Sequence, residues 1–411
     1  GLIIKEDKTK EITTPPNLYA VLVGVSDYKG DELDLRYPAK DAKAISTAVS
    51  GAARKFLNKD GKEHVFMYDL TTAEEHYLLP EKGSIKKTLE EIGRKATASD
   101  ILLIFFAGHG VMAGEAGRKQ FYFLTADASG VSATGAVKEV GISSTELIDW
   151  MKPERIRAQK RILILDACNS GQAINDIAGK SLAVRNDDKA QQAKAIDKLN
   201  EKSGLFILSA SASSQSAYEM GRYSHGLLTY SLLKSIKQQP DILEDGKYLN
   251  LARWFDAAEK TVTELSKENG ARQDPQIVSN TNFNIGEIDE GQRSAISLPN
   301  NPLFAASIFV NSDETADGDN LKLSRMINLQ LETLAGEVNN TIDYTKNMDA
   351  PAAISLSGRY DVRGNDIIVR ISIKKNDETR YRFEEKEGKD KLKELATAIV
   401  RKAAEWAAAN K

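Results

Sequence analysis

The sequence predicts an α/β fold: a mostly parallel sheet covered by helices on both faces, followed by a small α+β unit. Three observations carry this. Short, continuous apolar runs recur at Leu18–Val23, Ile101–Phe106, Ile162–Leu165 and Leu205–Leu208. A strand reads as continuously apolar when both of its faces are buried, as in a parallel sheet between helix layers. Segments of helical spacing separate these runs, and that alternation is the mark of βαβ units. A cluster of Gly, Ser, Pro and Asn over residues 288–302 then marks a boundary, after which one strand carries an alternating pattern.

In chain order, residues 1–16 form a polar leader ending in Thr14-Pro15-Pro16, and Leu18–Ser26 is the first buried strand. A helix runs from Asp41 to Ala53 with Ala42, Ile45 and Val49 on one face. His64–Leu70 is a short strand, Ser84–Ala98 a helix capped by Ser84, and Ile101–Ala107 the third strand. Phe121–Leu124 is a further strand and Ser144–Met151 a short helix, while Arg161–Asp166 and Leu205–Ser209 complete the strand set. Helices follow over Leu227–Lys237 and Leu249–Lys267. The pattern fails over residues 178–203, which are polar and charged. So long a stretch between two core strands reads as an exposed, cleavable loop, although residues 188–201 also suit a polar surface helix. Residues 17–287 thus form the first domain, residues 288–302 a linker, and residues 303–411 the second. The second domain is predicted as strand Phe304–Val310, helix Leu321–Val338, three strands near Ala353–Asp361, Asp366–Lys374 and Arg380–Glu385, and a helix from Lys389 to Ala408. The alternation Ile367-Ile368-Val369-Arg370-Ile371 suits a sheet with one wet face. This domain has no Cys, no His and no glycine-rich phosphate loop.

The 411 residues are 41% apolar and 28% charged, which describes a soluble globular chain. A net charge of −3 gives no basic face for nucleic acid, and no window resembles a membrane span. Gly1–Lys8 lacks the succession of a signal peptide, and one cysteine forms no internal disulfide, so the cytoplasm is the expected compartment.

Two segments that close apolar strands carry the chemistry: Ala107-Gly108-His109-Gly110 and Asp166-Ala167-Cys168-Asn169-Ser170-Gly171. Ligands of open α/β sheets bind at the carboxyl edge of the strands, so these two strands bring an imidazole and the chain's only thiol to one crevice. A thiol becomes a strong nucleophile when ionised, and a neighbouring imidazole promotes the thiolate and later protonates the leaving amine. Gly108 and Gly110 leave the imidazole uncovered, and the N–H groups of Gly110 and Cys168 are placed to form an oxyanion hole. The ordinary alternatives are a strand-end His109 satisfied by backbone and a Cys168 that is a small buried hydrophobe. His225, at the start of a helix in Tyr223-Ser224-His225-Gly226, suits capping or packing better than catalysis. His64 and His76 read as structural or solvated. Asp41 and Asp166 both reach the same edge, where two carboxylates bind a guanidinium or ammonium. Their ordinary alternatives are helix capping by Asp41 and backbone orientation by Asp166.

Residues 17–280 resemble the caspase–metacaspase group of cysteine peptidases, particularly its bacterial members. The resemblance rests on Tyr19–Val25, Phe105–Gly110, Leu165–Gly171, Leu208–Ser211 and Ser224–Tyr230. It implies the caspase-type α/β/α sandwich, with His109 and Cys168 as the dyad and residues 178–203 as the linker between large and small subunits. Metacaspase-like enzymes cleave after Arg or Lys with acids at the positions of Asp41 and Asp166, so protein or peptide substrates with a basic residue before the cut are expected. No Arg occurs in Ser209–Glu219 to bind an acidic residue instead. Ala107 stands where many metacaspases have Ser, which removes one polar pocket contact. Lys180 and Arg185 are the first basic sites for self-cleavage, with Lys189, Lys194 and Lys198 beyond them. The dyad requires no cofactor or metal. The calcium that activates some metacaspases would fall to Asp187-Asp188 or to Asp27, Asp31, Glu32 and Asp34, where a solvated loop is the competing reading. Residues 295–411 lie outside the resemblance, and the second domain, residues 303–411, is left to a regulatory partner. The competing reading of the whole is a catalytically silent scaffold of the same fold. A nucleotide-binding α/β protein is disfavoured, since Gly24–Tyr28 holds a single Gly.

Overall fold

The computed structural model describes residues 14–73, 75–114, 119–130, 134–168, 170, 205–211, 219–220, 223–268, 272–278, 282–299, 301–313, 318–335, 341–348, 350, 353–376 and 378–410. The self-cleavage positions Lys180, Arg185, Lys189, Lys194 and Lys198, the pair Asp187-Asp188 and the rest of 178–203 lie outside the described residues.

The first unit begins with β1 (Leu18–Gly24), α1 (Pro38–Leu57), β2 (Val65–Thr71), α2 (Lys82–Lys95) and β3 (Ile101–Gly108). There follow β4 (Gly110–Ala113), β5 (Gln120–Leu124), α3 (Thr134–Val140), β6 (Gly141–Ser143), α4 (Ser144–Met151), β7 (Lys160–Ala167) and β8 (Leu205–Ser209). The chain continues through β9 (Glu219–Met220), β10 (His225–Gly226), α5 (Leu227–Gln238), β11 (Leu243–Glu244) and β12 (Tyr248–Asn250). Helix α6 (Leu251–Glu268), β13 (Gln276–Val278) and β14 (Asn284–Glu287) close the unit.

The core sheet has the order β13-β8-β7-β3-β1-β2, parallel except for β13, which runs antiparallel at one edge. Side chains alternate between its two faces. Leu18, Ala20 and Leu22 pack with residues of α1, α5 and α6, whereas Tyr19, Val21 and Val23 pack toward α2, α4 and the small β4-β5-β6 sheet. Phe105 and Phe106 are fully buried on opposite faces, each worth roughly 1.5–3 kcal/mol of transfer free energy. The strand order turns back between β1 and β3, which opens a crevice at their carboxyl ends.

Several boundaries differ from the sequence reading for local reasons. Strand β1 stops at Gly24 because Ser26 leaves the ladder: its N–H donates to Thr72 Oγ1 and its Oγ accepts the Ala39 N–H. Helix α1 starts at Pro38, whose fixed φ and missing N–H suit a first turn, so Asp41 lies inside the helix rather than opening it. Helix α2 follows Glu81, and Ser84 is not its cap; Ser84 sits within the first turn, where its carbonyl accepts the Thr88 hydroxyl. The stretch 288–302 holds a short helix, α7 (Glu290–Ala295), whose first N–H groups are accepted by Asp289.

The second unit contains β15 (Leu303–Ala305), β16 (Ile308–Asn311), α8 (Leu323–Ala335), β17 (Asp343–Thr345), β18 (Ile354–Arg363), β19 (Asp366–Lys375), β20 (Glu378–Gly388) and α9 (Leu392–Ala409). The single strand expected over Phe304–Val310 is broken where the Ser307 N–H turns to Asn328 Oδ1. Strand β19 alternates as its pattern requires: Val369, Ile371 and Ile373 are buried with residues of α8 and α9, while Arg370 is exposed. Among the described residues, no helix is long and apolar enough to cross a membrane.

Candidate active site

Gly108 of β3 stands in register with Ala167 of β7, so His109 and Cys168 are the next positions beyond the last rung of two adjacent parallel strands. The chain after His109 stays close to the thiol's backbone, because a Cβ on Gly110 would overlap the Cys168 carbonyl oxygen. Only glycine permits that approach. Cys168 is half-buried.

The loop after β1 holds the imidazole. His109 Nε2 lies 2.8 Å from the Leu33 carbonyl oxygen. A carbonyl only accepts, so Nε2 carries the proton and Nδ1 keeps the lone pair of the neutral ring. The Tyr28 hydroxyl accepts the His109 backbone N–H at 2.9 Å, and its ring packs on the imidazole with centroids 5.2 Å apart. Asp34 Oδ1 accepts the Tyr28 N–H, which fixes the loop carrying both contacts. Burial lowers the His109 pKa from the ordinary imidazole value, opposed by the Leu33 carbonyl. On the other side of Cys168, buried Ser170 accepts the Ser211 N–H through Oγ, and buried Gln273 donates to the Ala210 carbonyl.

Asp41 and Asp166 come together, as the sequence expects, but against the protein's own chain. Asp41 Oδ1 lies 2.5 Å from His225 Nδ1, and its Oδ2 accepts the Gly226 N–H at 2.9 Å. Asp166 Oδ2 accepts both the N–H and the hydroxyl of Thr229, at 3.1 and 2.7 Å. A Cβ on Gly226 would stand 2.8 Å from Asp166 Oδ2 and 3.0 Å from Asp41 Oδ2, so this glycine is wedged between the two acids. Only 2% of Asp41 and 7% of Asp166 is exposed. Both carboxylates sit at the positive end of α5. Burial raises the Asp41 pKa, opposed first by the His225 hydrogen bond and charge, then by the Gly226 N–H. Asp41 therefore does not cap α1; its carboxylate faces α5.

The remaining histidines have structural partners. His64 bridges Asn17 and Asp60, and His76 bonds the Ala73 carbonyl. Among the described residues, no group of three or more His, Cys, Asp or Glu is spaced to hold a metal ion. The sequence reading missed Tyr28, the Leu33 carbonyl, Thr229 and the binding of His225 to Asp41. Tyr28 had a usable signal, since it follows a central strand at the carboxyl edge. The Leu33 carbonyl had none, being backbone.

The thiol and the imidazole thus stand past adjacent strand tips of a parallel sheet, beside the point where the strand order reverses. Residues 17–284 match the caspase domain family, and the chain belongs to it. That family is one of cysteine peptidases, and the sandwich is of the caspase type. Among solved structures, the chain is similar to protein GSU0716 from Geobacter sulfurreducens: 13% identity, 67% of this chain, 96% of that one, TM-score 0.38. It is also similar to caspase-1 from Spodoptera frugiperda: 10% identity, 67% of this chain, 92% of that one, TM-score 0.42. No curated protein sequence gives a significant match.

Proposed function

We propose that the chain is a cysteine endopeptidase that cuts after Arg or Lys, with Cys168 as nucleophile and His109 as the proton carrier. The observation that carries this reading is the register that makes His109 and Cys168 the first positions past the Gly108–Ala167 rung. In this mechanism His109 Nδ1 takes the proton from Sγ, and the thiolate attacks the scissile carbonyl carbon. The N–H groups of Cys168 and Gly110 face the negative oxygen of the tetrahedral intermediate. The imidazolium then protonates the leaving amine, and water hydrolyses the thioester with His109 again as base. The Leu33 carbonyl supports this cycle by holding the Nε2 proton and hence the working tautomer. Asp41 and Asp166 supply the negative charge that a basic side chain needs. Cleavage at Lys180 or Arg185 is part of the same proposal.

Peptides that differ only in the residue before the scissile bond, incubated with the wild type and with Cys168→Ala, test the reading. Arg and Lys peptides should be cut by the wild type alone. A preference for Asp, or turnover that survives the loss of Cys168, would overturn it. Intact mass of the two proteins reports self-cleavage, which predicts processed wild type beside unprocessed Cys168→Ala.

A further inference from the structure

The two acids that would receive a basic side chain are already occupied. Among their contacts are the His225 imidazole, the Gly226 N–H, and the N–H and hydroxyl of Thr229. These are the kinds of donors that a guanidinium presents to a pair of carboxylates, and they are delivered by five consecutive residues. The segment that brings them is not relaxed. Ser224 holds φ at +50°, a left-handed conformation that is uncommon for a residue with a side chain and that recurs at clamps and switches. Tyr223 stacks on Tyr230 with ring centroids 4.3 Å apart, closing the segment over the start of α5. Asn301, buried just ahead of β15, reaches Ser224 Oγ at 3.5 Å, so the chain that leads into the second unit lies against the strained residue.

We propose that His225–Gly226 is an internal ligand of the Asp41–Asp166 pair, and that a substrate's basic side chain gains the subsite by displacing it. This rests on the reading of the two acids as the basic-residue subsite. His225 is then a specificity-determining residue. It satisfies Asp41 while the subsite is empty, and it sets how much of a substrate's binding energy goes into opening the pocket. Gly226 is required because any side chain there would strike both acids. The strained Ser224 is the hinge on which the segment withdraws.

The test uses the full chain as Cys168→Ala, titrated with acetyl-arginine amide and with the norleucine analogue as the uncharged control. Calorimetry should show arginine-selective binding at least tenfold tighter in the added variant His225→Ala. Equal or weaker binding would overturn the proposal. Because His225→Ala leaves a buried acid without its partner and can fail to fold, a second measurement uses Cys168→Ala alone. Hydrogen exchange of the amides of Gly226 and Thr229 should accelerate when acetyl-arginine amide saturates the protein. Selective binding with unchanged or increased protection of these amides would mean that the segment is not displaced. Failure of the parent reading has a different signature: no arginine-selective binding in either protein, together with a non-basic preference in the peptide screen.

Discussion

Two imidazoles, His109 half-buried and His225 buried, stand at one edge of the core sheet and are held by opposite kinds of partner. His109, past the tip of β3, donates to the Leu33 carbonyl at 2.8 Å, whereas His225, ahead of α5, lies 2.5 Å from the Asp41 carboxylate. A carbonyl carries no formal charge, so it orients the ring and fixes its tautomer while favouring the imidazolium too weakly to offset burial. The Asp41 carboxylate is a charged acceptor, and its bond to the ring opposes the rise in pKa that burial imposes on the acid. The same residue type is therefore held by a backbone carbonyl at one position and bound to a buried acid at the other. Sheet position does not separate the two histidines; the neighbouring acceptor does.

The largest effect that could break this comparison is the loss of the ring itself. His109→Ala should lower kcat/KM for an arginyl peptide by roughly 10³-fold, within the range of general acid–base catalysis, while near-ultraviolet circular dichroism stays native. It should also slow alkylation of Cys168 by a small neutral reagent, because the thiol loses the base that generates its thiolate. A variant that hydrolyses and alkylates at wild-type rates would show that the carbonyl-held imidazole is structural.

A smaller effect sharpens the other half of the comparison. Asp166→Asn keeps an oxygen for Thr229 but removes the charge that makes both of its bonds strong. Urea unfolding should report a cost of about 1–3 kcal/mol. Discrimination for Arg over a neutral residue should fall about tenfold, equivalent to about 1.4 kcal/mol. A stability loss with discrimination intact would leave Asp166 as an anchor of α5 alone.

The reach of the sequence follows from what is local. The strands β1, β3 and β7 were readable because burial on both faces makes them continuously apolar, and the helix expected over Ser144–Met151 has those bounds in the structure, where a Ser143–Glu146 capping box fixes its start. Strand β13 was not, since three half-buried residues joining an edge carry no period. His109 and Cys168 could be placed because each directly follows an apolar run whose register decides where it ends. The pairing of Asp41 with His225 spans 184 positions and joins a helix face to the two-residue strand β10, so nothing local announces it. The acids could be brought to one edge from sequence, but their covering by Gly226 depends on how α5 packs against β7, which is a tertiary fact.

The smallest effect is a displacement along the pH axis, and its sign is fixed by burial. Burial lowers the His109 pKa, and the Leu33 bond only partly opposes this. Catalysis needs the neutral ring, so the acid limb of kcat/KM for an arginyl peptide should fall below the ordinary imidazole value of about 6.5. Stability must move consistently with this. As the pH drops through that value the unfolded chain takes up the proton first, so this group's share of folding stability is lost between the unfolded and folded pKa values and then levels off. Opening the Leu33–His109 loop to water with Tyr28→Ala should move the limb back up toward 6.5 as burial is relieved. A limb above 6.5 in the wild type would mean that the ring is stabilised as an imidazolium and that its hydrogen bond, not burial, sets its protonation.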